Sequence, residues 1–381
     1  MKNFLPQQYK KDKKLKINHN YLSKQFVNYK SILKKISKVV LNNDFTLGSK
    51  VDEFELKIKK LLRSKYVVAV GSGTDAIMLS LKAIGVKEGD EVITTPYTFY
   101  ATIGAIVTAG AKPVFVDVQE DYNMDPNNII KKITKKTKAI VVVHWSGRIC
   151  DMKSINKISK KFKIPIVEDA CHAILAKQRG VYAGNFGEFG CFSMHPLKNL
   201  NIWGDGGFIL TNNKNSYEKM MLLRNHGLVG RNINKIFGYN SRLDTIQAVV
   251  AIELLKKIKF ITKKRIQNSL YLDNKLRNII FIQIKNRQKN NIEVFHLYEI
   301  RTKAKYRDDL VNYLRKKSID AKIHYPVPMH LQPAAKYLKY KKGDFPISEN
   351  IANTTISLPV HEFISRKDLD YISNSITEFF K

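Results

Sequence analysis

Three groups of residues in this sequence have the types and settings to do chemistry together. Lys198 sits in Ser193-Met194-His195-Pro196-Leu197-Lys198-Asn199, a loop that follows a short apolar strand and leads to Gly204-Asp205-Gly206-Gly207. A lysine held there lies against a packed sheet edge, where burial favours the neutral, nucleophilic amine. Upstream, Ile164-Pro165-Ile166-Val167-Glu168-Asp169 is an apolar strand ending in an acidic pair. It puts a carboxylate at the carboxyl end of a strand, where open α/β sheets bind ligands. Gly71-Ser72-Gly73-Thr74-Asp75 follows another apolar strand and opens a helix. Glycines there permit close backbone approach, and free amides at a helix start attract an anion. The turn is neither a Walker loop nor a dinucleotide fingerprint, because the Lys-Ser/Thr ending and the third glycine are absent.

Singly, each group has an ordinary explanation. Asp169 and Lys198 could be a structural ion pair, and the glycine turn could simply be capped by Ser72 or Thr74. Together they match the three anchors that pyridoxal phosphate requires: a cradle for the phosphate, a carboxylate that keeps the pyridine nitrogen protonated, and an amine that forms an aldimine with the aldehyde.

The surrounding elements are those of an α/β protein. Near-continuous apolar strands at Tyr66 to Val70, Glu91 to Thr94, Pro113 to Asp117, Ala139 to Val143 and Ile164 to Glu168 alternate with helical stretches. Further strands follow at Phe189 to Ser193 and Gly207 to Thr211. That order predicts a mostly parallel seven-stranded sheet covered on both faces. A helix at Asn215 to Arg224 and a long helical pattern through Leu254-Leu255 and Leu270 come next. From about Phe281 a smaller α+β C-terminal domain is expected, with Val294 to Ile300 as a strand and Arg307 to Lys316 as a helix. Tyr21 to Leu41 carries the apolar spacing of one amphipathic helix, and residues 1 to about 20 read as a basic, flexible arm. We divide the chain at 1–44 (arm and helix), 45–255 (large domain) and 256–381 (small domain).

The chain of 381 residues has 44% hydrophobic residues and a formal charge of +33. The lysines are spread along its length, and runs such as Lys10-Lys11-Asp12-Lys13-Lys14 read as solvated faces or tails. They point to a general attraction for phosphate-bearing small molecules rather than to nucleic acid. Three cysteines without a Cys-x-x-Cys pair indicate reduced thiols, with no disulfide framework and no metal site. No apolar run is long enough for a membrane span and no secretory signal opens the sequence, so a cytoplasmic location is expected.

With these residues in place the sequence resembles the pyridoxal-phosphate sugar aminotransferases of the DegT/StrS type. Besides the three groups above, the matching motifs are Gly89 to Ile93, Thr98-Phe99-Tyr100-Ala101-Thr102, Gly110 to Asp117, Gly238-Tyr239-Asn240-Ser241-Arg242-Leu243 and His324-Tyr325-Pro326-Val327-Pro328. They occur in the family's order from about residue 45 to about 365. The resemblance implies the aspartate aminotransferase-like fold, with Lys198 forming the internal aldimine and Asp169 on the pyridinium. Phe99 would stack on the ring, and Gly73, Thr74 and Ser193 would hold the phosphate. Asn240 would reach the phosphate of a neighbouring subunit in a homodimer, and Arg242, His324 and Tyr325 would lie near substrate. Arg224 would join Arg242 and His324 in receiving a diphosphate.

The implied reaction moves an amino group from L-glutamate to a nucleotide-linked ketosugar, in amino-sugar and surface polysaccharide biosynthesis. His172 departs from the family's usual glutamine, whose role is to touch the cofactor's ring hydroxyl; an imidazole can make a similar hydrogen bond. A related branch replaces the lysine by histidine and dehydrates sugars, and Lys198 argues against it. Another enzyme on the same scaffold would share only the three anchors, and a basic binding protein without catalysis would keep the fold while discarding Lys198, Asp169 or Phe99, none of which is missing.

Overall fold

The computed structural model describes residues 12, 14–19 and 21–381. Its centre is a seven-stranded sheet built from β1 (Tyr66–Val70), β2 (Glu91–Thr94), β3 (Lys112–Phe115), β4 (Thr137–Val143), β5 (Ile166–Asp169), β6 (Phe189–Ser193) and β7 (Gly207–Thr211), in the order β1-β7-β6-β5-β4-β2-β3. Only β7 runs antiparallel to its neighbours within this sheet.

Side chains alternate across a strand, and the sequence uses that alternation to fill two cores. Val67, Ala69, Ile140, Val142, Ile166, Phe192 and Phe208 face one layer, shared with Phe54, Ile58 and Val250. Val68, Val70, Val141, Val167, Cys191 and Ile209 face the other, shared with Leu79, Ile106 and Met220. The first layer holds the helices Tyr29–Leu41, Ser49–Leu62 and Thr245–Leu255. The second holds α1 (Gly73–Ile84), α2 (Tyr100–Thr108) and Lys214–Leu223. A doubly covered, mostly parallel sheet results, as the strand order predicts.

A separate core lies beyond the long helix α3 (Ile258–Leu276). There β8 (Gln283–Ile284), β9 (Tyr298–Arg301) and β10 (Thr355–Leu358) form a small antiparallel sheet under Ala304–Lys316 and α4 (Arg366–Phe379). Leu272, Tyr298, Ile300, Leu314, Ile356 and Ile372 are buried in it.

Several expected boundaries move. The amphipathic stretch from Tyr21 breaks into Leu22–Gln25 and Tyr29–Leu41, because Phe26 packs edge-on against Trp203 at 5.6 Å and Gln25 accepts a 2.8 Å bond from Asn201. The strand expected from Val294 begins only at Tyr298. Val294 and His296 donate to the carbonyls of Gly147 and Ser146, and Phe295 adopts a left-handed φ of 50°. The helical pattern from Thr245 is two helices, parted after Leu255.

The expected arm lies mostly outside the described residues, as do Lys10, Lys11 and Lys13 of its basic run. Its described part is not free: Leu15 and Ile17 are buried, and Ile17 bridges Ile319. Among the described residues no helix is long and apolar enough to cross a membrane.

Candidate active site

The carboxyl ends of the parallel strands open onto a cavity of about 630 Å³. At the end of β5 the pleat sends two adjacent carboxylates to opposite faces of the sheet. Glu168 turns into the first layer, where it accepts bonds from the amides of Gly184, Phe186 and Gly187 and from His144 at 2.6 to 2.8 Å. It is fully buried and fastens the turn before β6. Asp169 turns into the second layer, beside the cavity. Its Oδ2 accepts a 2.7 Å bond from Thr102 on α2, and its Oδ1 accepts from the Cys171 amide at 3.2 Å. Thr98, just before α2, lies 2.8 Å from Thr102, so the start of α2 fixes the carboxylate.

Lys198 sits in the loop after β6. Its amide donates to the His195 carbonyl, and its own carbonyl accepts from Asn201 at 2.9 Å. Burial lowers its pKa from the ordinary lysine value, opposed by the Cys171 thiol and the Asp169 carboxylate. The amine is therefore more readily neutral than a surface lysine.

The glycine turn lies across the same opening. Ser72 caps α1 by accepting from the Asp75 amide at 3.0 Å, while the amides of Gly73 and Thr74 find no acceptor among the described residues. A Cβ at Gly73 would come within 2.6 Å of the Ser193 Cβ and 3.1 Å of the Cys171 Sγ. Gly73 is thus held where only a bare backbone fits. Phe99 is the residue before the first turn of α2 and lies 5.6 Å, ring to ring, from Tyr325.

His172 is buried, packs at 4.2 Å against the tilted ring of His296 and meets Trp145 at 5.5 Å. Burial, then Lys198 and His324, push its pKa well below the ordinary value, so it is a neutral ring. Its Nδ1 is buried without a partner. His324 bonds Ser357 at 2.9 Å, and burial lowers its pKa to about 4.

Gly73, Thr74, Phe99, Asp169, His172, Ser193, Lys198, His324 and Tyr325 all line this one cavity. Two of the expected site residues do not. Asn240 is exposed and pairs with Asn225, and Arg242 donates to the Asn225 side chain at 3.0 Å; neither lines the cavity of its own chain. Arg224 corrects the diphosphate expectation: it is 3% exposed and bound to Glu55 at 2.5 Å and to the Ala69 carbonyl. Its guanidinium is committed to the fold.

Sequence reasoning also missed lining residues. His19, Tyr21, Arg265, His296, Lys322 and His361 complete the cavity from segments far apart in the chain. Thr102 could have been found, since it closes the Thr98-Phe99-Tyr100-Ala101-Thr102 motif at the start of α2. Cys150, Cys171 and Cys191 are free thiols. Burial and the adjacent Asp169 push the Cys171 thiol well above its ordinary pKa, which keeps it protonated. No group of side chains suited to a metal occurs among the described residues.

These features suit pyridoxal phosphate. The unused amides of Gly73 and Thr74, at a turn too tight for a Cβ, suit a phosphate. Asp169, fixed by Thr102, suits a pyridinium, and the unpartnered Nδ1 of His172 leaves a polar contact for a ring substituent.

Comparison with known proteins agrees. The family model for the DegT/DnrJ/EryC1/StrS aminotransferase family matches residues 28–377. A dTDP-3-amino-3,6-dideoxy-alpha-D-galactopyranose transaminase from Aneurinibacillus thermoaerophilus is 36% identical over 92% of this chain and 95% of its own. Among solved structures, S. venezuelae DesV in complex with a ketimine intermediate superposes with a TM-score of 0.92 at 30% identity, covering 96% of this chain and 98% of that one. NtdA from Bacillus subtilis, with bound cofactor PMP, gives a TM-score of 0.87 at 27% identity over 99% and 92% of the two chains. The chain belongs to the DegT/DnrJ/EryC1/StrS aminotransferase family and is a pyridoxal-phosphate-dependent sugar aminotransferase.

Proposed function

We propose that the enzyme takes an amino group from L-glutamate and delivers it to a nucleotide-linked ketosugar, in the cytoplasm, for amino-sugar and surface polysaccharide synthesis. The observation that carries this reading is the meeting of Lys198, Asp169 and the Gly71–Thr74 turn around one cavity large enough for a cofactor and a substrate. Substrate class is supported by relatives whose names specify dTDP- and UDP-linked sugars.

The cofactor, held by Gly73, Thr74, Ser193, Asp169 and Lys198, supplies an electron sink for charge developing at the substrate carbon that loses a proton. The protein supplies the rest. Asp169 would hold its carboxylate toward the pyridine nitrogen and so would maintain that sink. Phe99 offers an aromatic face to the ring. Lys198, whose pKa burial lowers, removes the proton from the donor's α-carbon and returns one at the end of the transfer. With the sugar substrate the same amine acts at the carbon that receives nitrogen. His324 and Tyr325, at the cavity wall, orient that sugar.

A homodimer would bring Asn240 to the neighbour's phosphate and Arg242 to its substrate. The segment that carries them suits this role: Phe237 is 97% exposed and Ile233 63% exposed, which is apolar surface of the kind subunits cover.

The test is direct. Purified protein should be yellow, bleach with glutamate and regain colour with the right ketosugar. A panel of nucleotide-linked 3-keto and 4-keto sugars, read by 2-oxoglutarate release, identifies the acceptor. Colourless protein that turns over none of them would refute the reading.

A further inference from the structure

The His172 ring belongs to the cavity wall, yet no hydrogen bond holds it among the described residues, and its Nδ1 is buried without a partner. Its place is therefore set by the two rings that flank it, His296 at 4.2 Å and Trp145 at 5.5 Å. Neither comes from the loop that carries His172: Trp145 lies just after β4, and His296 just before β9.

Both flanks lead back to one carboxylate. Glu299, on β9, is 2% exposed and does not line the cavity. Its Oε1 accepts from the Trp145 indole at 2.7 Å, and its Oε2 accepts from the Ser146 hydroxyl at 2.5 Å and from Lys285 at 2.6 Å. The Ser146 carbonyl in turn accepts from the His296 amide at 2.8 Å. One flank is thus bonded to Glu299 directly, and the other through a single residue. Gly147 presses the same turn against His172 itself, since a Cβ there would lie 2.9 Å from the His172 carbonyl oxygen and 2.6 Å from the Val294 side chain. His296 is also tied to the loop of the reactive amine: its Nδ1 lies 3.3 Å from the side-chain oxygen of Asn199, the residue after Lys198.

Lys285, 5% exposed at its side chain, is the counter-ion of Glu299 and stands 3.7 Å from the centre of the Tyr122 ring. Tyr97, Tyr122 and Tyr325 are the other titratable groups near Glu299, and burial keeps their hydroxyls protonated. Around His172 the corresponding groups are Lys198, His296 and His324, of which burial keeps both histidines neutral. A buried ion pair adds little net stability over apolar packing of the same volume. Three directional bonds converging on one carboxylate fix geometry instead.

We propose that Glu299 is a positioning residue for the reaction: by clamping Trp145 and the Ser146–His296 contact, it holds the His172 ring against the cofactor's ring oxygen. This rests on the aminotransferase reading above, in which His172 meets that oxygen. An N–H donated to the ring oxygen competes with the proton held between that oxygen and the Lys198 nitrogen. Loosening His172 therefore raises the pH at which that proton leaves and the yellow band shifts.

The visible spectrum of the holoenzyme, titrated with pH, reads this directly. Glu299→Gln should place the midpoint roughly half to one pH unit above the wild type, the size of one neutral hydrogen bond. Trp145→Phe drops the indole N–H, leaves every charge in place and should move the midpoint in the same direction; it carries the test if Glu299→Gln does not fold. In a His172→Ala background either change should leave the midpoint within about 0.3 unit. Lost thermal stability with an unmoved midpoint would make Glu299 structural only and overturn the proposal. A midpoint that falls in Glu299→Gln and is unmoved in Trp145→Phe would report lost charge rather than lost position, and a rise that persists without His172 would act by another route; each overturns it. Wild-type protein that takes up no cofactor and shows no yellow band would refute the aminotransferase reading itself, and the proposal with it.

Discussion

Two walls enclose the cavity, and they are made differently. One is the edge of the parallel sheet, where Gly73, Asp169, Ser193 and Lys198 each sit within a few residues of a strand end. The other is assembled from His19 and Tyr21, Arg265 in the middle of α3, His324, and His361 after β10. In the first wall local chain geometry places the side chain, so a short motif carries the position. In the second, placement depends on packing between segments hundreds of residues apart, and a motif of adjacent residues carries little of it.

If the sheet-edge wall holds the cofactor, its loss should be felt in chemistry more than in stability. Lys198→Ala is expected to have the largest effect, lowering turnover by at least roughly 10³-fold; borohydride reduction followed by mass spectrometry should no longer fix cofactor to the chain. A covalent adduct surviving that change would move the role to another lysine. Asp169→Asn should lower kcat by roughly 10²- to 10³-fold while leaving the thermal midpoint near that of the wild type.

Its strand neighbour supplies the sharper contrast. Glu168→Gln should cost about 3 kcal/mol of stability through the weakened anionic acceptor, measured by urea unfolding, with turnover of the folded fraction nearly unchanged. Reversal of these two profiles would break the division of β5 into a chemical and a structural carboxylate. Gly73→Ala is next in size, about 1 to 3 kcal/mol from the enforced contact with Ser193, accompanied by weaker cofactor retention in dialysis.

The second wall makes a pH-dependent prediction. His361 is buried, its Nε2–H donates to the Asn18 carbonyl at 2.9 Å, and burial lowers its pKa to about 3. An unfolded chain binds a proton there below about pH 6.5, whereas the folded protein does not until near pH 3. Stability therefore falls as the pH drops through that window, by at most about 1.4 kcal/mol per pH unit from this group. Replacing His361 with Asn should flatten the decline in thermal midpoint between pH 7 and 4.5; an unchanged slope would remove His361 as a cause.

The contrast explains what could be read from residues alone. The seven strands were legible because near-continuous valine and isoleucine runs between helical stretches allow few arrangements, and the glycine turn, Asp169 and Lys198 followed from them. Arg265 was not legible, because Lys263-Lys264-Arg265 has the look of a solvated helix face and only tertiary packing makes its last member buried. Arg224 erred in the opposite direction, since nothing local reveals that Glu55 waits for it across the fold. Val294 and Phe295 favour a strand by type, yet hydrogen bonds to Ser146 and Gly147 impose a bend that turns His296 to the cavity. His19 and Tyr21 were grouped with a polar arm and its adjoining helix because their partners lie near the other end of the sequence.

The docking of that early segment bears on how the enzyme is made. Ile17 bridges Ile319, the His19 amide bonds Asp320, and the Asn18 carbonyl meets His361. During translation, residues emerging first must wait for more than three hundred later ones before these contacts can form. A stalled nascent chain could already close the parallel sheet around Lys198, but it would lack one side of its reaction chamber.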